Sequence, residues 1–191
     1  HTGGFRLDAL VEPFAERTSD GKRDIVVAEG AIHFRGRVDA ARTARIVAAL
    51  QQKPEVGAIF TRPRPGGGVE GVVPGTLSFD VARWNHKRSG EILVSANWSA
   101  AANAAGYAGT TTDGGVAGHG STSPYDVHNT LIAAGPDFRA HATSSVPTGN
   151  VDVAPTVLRL LRLKIPPSMT GRVIEEALRS GPAPASVRVE H

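Results

Sequence analysis

An α/β fold is what this chain predicts, and two observations predict it. Strand-like and helical segments alternate in the order strand, helix, strand, loop, strand, loop, strand, helix. The 191 residues are 40% apolar, which is enough for a real core and too much for a disordered chain. Strong parallel strands are too few, however, for a self-contained doubly wound sheet.

The elements follow in order. Leu7 to Phe14 reads as a short amphipathic turn or helix, and Asp20-Gly21 as a turn. Asp24 to Ala28 is β-branched and strand-like, with Ala31 to Phe34 as its hairpin partner. Asp39 to Gln52 is the best helix of the first half, with Ile46, Val47 and Leu50 on one side and Pro54 stopping it. Val56 to Thr61 is a buried-strand candidate. Arg62 to Gly75, rich in Pro and Gly, reads as a loop or hairpin tip. Thr76 to Trp84 and Glu91 to Ser95 carry strand character. Ala100 to His119 has almost no large apolar groups and predicts a long surface loop. Asn129 to Ala134 predicts a return to the core as a strand. Val151 to Leu163 predicts a helix, with Pro155 tolerated in its first turn, and Ile174 to Leu178 a short one. The Pro- and Ala-rich tail from Gly181 is expected to fray.

Composition narrows the function. The formal charge is only +3 with both signs interspersed, so a nucleic-acid polymer is not an expected partner. There is no cysteine, so any metal must be held by His, Asp, Glu or hydroxyl oxygen. No apolar run reaches the roughly 20 residues that cross a bilayer, so no membrane span is expected in this segment.

Gly118-His119-Gly120 is the most informative motif. A glycine on each side lets backbone come close and leaves the imidazole unshielded, which suits a metal ligand or a base. His33, His86, His128, His141 and His191 have no ligand-like spacing, and Asp113 in Thr-Asp-Gly-Gly reads as a turn former. Gly66-Gly67-Gly68 lacks a following Lys-Ser/Thr, so it is not a P-loop. No Gly-x-Ser-x-Gly elbow exists, and Thr156 in Ala154-Pro155-Thr156 reads as packing, not as a nucleophile. An N-terminal histidine such as His1 can chelate copper, as in lytic polysaccharide monooxygenases. Those are usually disulfide-bearing β-sandwiches, and this chain has neither the cysteine nor the pattern.

After Gly118-His119-Gly120 come Ser121-Thr122-Ser123-Pro124, the stretch ending Ile132-Ala133-Ala134-Gly135-Pro136-Asp137-Phe138, and the opener Asn150-Val151-Asp152-Val153-Ala154-Pro155-Thr156. This ordered series resembles the C-terminal part of the alkaline phosphatase superfamily, in the branch of type I phosphodiesterases and nucleotide pyrophosphatases. The resemblance implies the C-terminal part of a three-layer α/β sandwich with a small inserted α+β excursion. Residues 1–23 would then be the edge of the catalytic core, 24–75 the excursion, and 76–191 the return with the metal-ligand loop and terminal helices. It implies His119 as a metal ligand and His1 as a second, although Thr2 stands where the family has glycine. It further implies a two-zinc hydrolase of phosphate esters or phosphodiesters acting on a small phosphate ester or nucleotide. The nucleophile belongs to an N-terminal half missing from this chain, which alone would be inert; a periplasmic or extracellular parent would fit. A sulfatase parent fits the same residues, and a stand-alone binding or assembly domain is the non-enzymatic alternative.

Overall fold

The structure, a computed structural model, describes residues 6–112 and 120–184. The chain divides into two units, His1–Asn129 and Thr130–His191.

The first unit is mixed α/β. Helix α1 (Leu7–Val11) places Leu7 and Val11 one turn apart on its buried side and runs into a 3-10 turn over Glu12–Phe14, where Pro13 ends it. Strands β1 (Ile25–Ala28) and β2 (Ala31–Phe34) form the expected hairpin. Its turn residues, Glu29 and Gly30, both have positive φ, 48° and 80°. Such turns match the twist of the strands they join. Helix α2 (Ala40–Gln51) begins at Asp39, whose carboxylate accepts the Ala41 and Arg42 N–H groups at 2.8 and 3.3 Å. Ile46, Val47 and Leu50 are buried on one face. Each contributes roughly 1.5–3 kcal/mol by leaving water.

Strand β3 (Val56–Thr61), the short β4 (Leu77–Ser78) and β5 (Ile92–Ala96) complete a five-stranded sheet in the order β1-β2-β5-β3-β4. Only β3 and β4 pair in parallel; the other neighbours are antiparallel. Strand β5 pairs Ile92 with Ile32 on one side and with Thr61 on the other. Leu7, Val11, Ile25, Ile32, Ile46, Leu50, Ile59, Ile92 and Val94 form one core, so α1 and α2 pack on the same sheet. A second sheet joins β6 (Trp98–Ser99) to β7 (Thr110–Thr111). Helix α3 (Pro124–Val127) follows.

Two strands fall short of expectation. Thr76 to Trp84 is a ladder only at Leu77–Ser78. Beyond it the chain turns back, with the Trp84 N–H on the Phe79 carbonyl and the two rings edge to face at 5.1 Å. Asn129 to Ala134 forms no strand: it is irregular and exposed, Ile132 by 84%. An apolar run supplies side chains for a sheet face but no partner for its backbone.

The second unit is small. A 3-10 turn over Asn150–Asp152 leads into α4 (Val153–Leu160), and a 3-10 turn over Glu175–Ala177 stands where a short helix was expected. Buried Asp152 holds it together, accepting the Gly149 and Arg172 N–H groups at 2.9 and 2.8 Å. Arg172 reaches both oxygens of buried Glu176, at 2.7 and 2.9 Å. Among the described residues no helix is long and apolar enough to cross a membrane.

Candidate functional site

Two feet flank residues 113–119, which precede Gly120, and both stand on the same strand end. At the first foot, the Thr112 N–H donates to the Asn97 carbonyl at 2.9 Å, and its hydroxyl to the Glu55 carbonyl at 2.6 Å. The pairing of Trp98 with Thr111 extends this foot into the small sheet. At the second foot, the Thr122 N–H donates to the Ser95 hydroxyl at 3.0 Å, and the two hydroxyls share a bond of 3.0 Å. Ser95 and Asn97 lie two residues apart at the close of β5, in the middle of the main sheet.

Local chemistry fixes the second foot further. Gly120 has φ +96°, a conformation that favours glycine. Asp126 then accepts both the N–H and the hydroxyl of Ser121, each at 2.7 Å. Ser123 is fully buried and accepts the Tyr125 N–H at 3.2 Å, while Pro124 begins the helical turn. Asp126 is thus the clamp of this foot, which the reading by residues missed. Its signal was present in Ser123-Pro124-Tyr125-Asp126, the Ser-x-x-acid pattern of a helix start.

His119 and His1, the two metal candidates, lie outside the described residues, as do Asp113 and His191. Among the described residues, no group of three or more His, Asp or Glu side chains could hold a metal ion. The other histidines are dispersed. His33 is half-buried in β2, and His86 accepts the Arg88 N–H on Nδ1 at 3.2 Å. His128 caps α3 and is exposed, and His141 stands in the second unit with φ +53°. Arg62 and Arg64 serve the fold: Arg62 donates to the His86 and Ser89 carbonyls at 3.2 Å each, and Arg64 to the Gly71 carbonyl at 3.0 Å. Thr156 is buried, its hydroxyl donating to the Asp152 carbonyl at 2.7 Å and accepting the Ile174 N–H at 3.0 Å.

Compared with known families and with curated proteins, the chain finds no match in either.

Proposed function

We propose that this chain is the C-terminal portion of a metal-dependent hydrolase of phosphate esters or phosphodiesters, similar to the nucleotide pyrophosphatases and phosphodiesterases. The observation that carries the proposal is the order of three segments: Gly118-His119-Gly120, then Ala133-Ala134-Gly135-Pro136-Asp137-Phe138, then Asn150 to Thr156. The two anchored feet support it, because they hold Thr112 and Thr122, on either side of residues 113–119, at the end of a central strand.

In this reading His119 is a zinc ligand and His1 a second one. Imidazole and carboxylate donors suit zinc, and the chain offers no thiolate that would demand another chemistry. Zinc, when bound, supplies charge stabilisation at a phosphoryl oxygen. This chain's residues hold and position; the attacking group belongs to the upstream half. The same half would complete a three-layer sandwich, and the exposed Leu131, Ile132, Val157 and Leu161 are apolar surface for it to cover.

The test is His119→Ala in the complete protein, read as zinc content and as hydrolysis of bis(p-nitrophenyl) phosphate. We expect loss of bound zinc and a fall in kcat/KM of about 100-fold or more. Full zinc content at an unchanged rate would refute the proposal.

A further inference from the structure

Charges that are interspersed along the sequence are sorted by the fold. Strands β2 and β3 end, and β5 begins, at one end of the main sheet, because β5 runs antiparallel to both and Ile92 stands beside Ile32 and Thr61. The loop leaving β2 and the loop entering β5 therefore emerge together; a Cβ at Gly90 would stand 3.3 Å from Cε1 of His33. The first loop carries Arg35 and Arg37, the second Arg83, Lys87 and Arg88, and all five are exposed. Among the described residues none of these five side chains forms an ion pair, whereas Arg42, Arg62 and Arg64 each face a carboxylate. The other carboxylates at this end are engaged: Asp39 caps α2, Asp80 accepts the Asn85 amide at 2.9 Å, and Glu91 faces Arg62 at 3.7 Å. The opposite end of the sheet has Glu29, Lys53 and Glu55 instead. Gathering like charges in this way opposes folding through their mutual repulsion.

The second loop is firmly mounted. Arg62 donates to the His86 and Ser89 carbonyls at 3.2 Å each, and the Trp84 ring meets Phe79 edge to face. A mounted loop loses little freedom on binding. Beside the cations stand exposed aliphatic groups, Val38 at 39% and Val81 at 50%, and the half-buried Trp84 ring. From this arrangement we infer that this end of the first unit docks on an anionic lipid bilayer. The Arg and Lys head groups meet the lipid phosphates, while the valines and the apolar stems of the cations enter the boundary beneath. A soluble polyanion would match the charges but leave the valines in water. The inference uses no residue of the proposed hydrolytic site and stands without that proposal.

The test is co-sedimentation of the 191-residue chain with lipid vesicles. The vesicles are phosphatidylcholine alone, or phosphatidylcholine with about one-third phosphatidylglycerol, at about 0.1 M salt. Binding is expected only to the anionic vesicles, falling about 10-fold or more at about 0.5 M salt. Arg83→Gln, Lys87→Gln and Arg88→Gln together should lower the partition constant about 100-fold, at about 5-fold for each cation. Val81→Ser should lower it about 3-fold or more. Lys53→Gln, at the opposite sheet end, should leave it within about 2-fold. Circular dichroism melts check that each variant is folded. Equal binding to neutral vesicles, no binding to the anionic ones, or as large a loss in Lys53→Gln as in the triple variant would overturn the inference. Vesicle binding that ignores Val81→Ser would assign the surface to soluble polyanions, with heparin as the check, and would overturn it too.

Discussion

Asp24→Asn is the substitution to which the first unit should be most sensitive. Asp24 is buried just before β1 and accepts the Arg42 guanidinium at 2.6 Å and the Glu16 N–H at 2.7 Å. Arg42 lies in α2 with a side chain only 6% exposed, its guanidinium 4.8 Å from the centroid of the Phe34 ring. Its Nε and Nη1 atoms are buried without a hydrogen-bond partner, although exposed Glu16 has an oxygen 3.4 Å from Nη1. Asparagine keeps an oxygen for the Glu16 N–H but abolishes the charge. A buried guanidinium then remains with an aromatic face and one distant carboxylate. Stranding one member of a buried pair costs about 3–5 kcal/mol, and Glu16 holds the loss near 3. For a unit of this size that lowers the melting temperature by roughly 10 °C. The assay is thermal unfolding at pH 7 followed by circular dichroism. Adding Arg42→Met removes the stranded charge and leaves an apolar side chain beneath Phe34. The double variant should recover to within about 1 kcal/mol of the parent. A single variant melting within about 2 °C of the parent, or a double variant worse than the single, would refute the reasoning.

Acid should loosen both units. Burial alone would raise the Asp24 carboxyl, but the Glu16 N–H and the Arg42 guanidinium together hold it below its usual value. The Arg172 guanidinium likewise holds Glu176 low, against its burial. Both carboxyls bind protons more weakly in the folded state than in the unfolded one. Their stabilisation is thus complete above the ordinary carboxylate range near 4 and is lost as pH falls below it. Melts at pH 7, 4 and 2.5 should show a plateau and then a drop; a flat profile down to pH 2.5 would contradict it. Ile46→Ala, at a position with no exposure in the middle of α2, should cost about 2–5 kcal/mol by denaturant unfolding. A loss under about 1 kcal/mol would mean the helix is not seated on the sheet as described.

Legibility followed the strength of local signals. Helix α2 was readable because one face carries Ile46, Val47 and Leu50 between an aspartate cap and a proline stop. The β1–β2 hairpin was readable because two β-branched runs flank a two-residue turn ending in glycine. Strand order was not, since nothing local says that β5 enters between β2 and β3. The supposed strand from Asn129 failed for a related reason, as apolar character carries no information about backbone partners. At the site, Gly118-His119-Gly120 stood out by itself. The feet did not, because they rest on single hydroxyls, Ser95 and Thr112, whose partners lie far away in sequence. Asp126 was half legible: its helix-start pattern is visible, but its bond back to Ser121 appears only once the chain has turned.

The insertion of β5 has a consequence for biosynthesis. A nascent chain that has emerged only through Thr61 holds a hairpin and a strand with facing edges open, since the segment that joins them is still inside the ribosome. Closure waits for residues 92–96, roughly thirty amino acids later, so this half cannot lock piece by piece as it is made. Until then the β2 and β3 edges are the surfaces on which a chaperone, or a neighbouring nascent copy, would act.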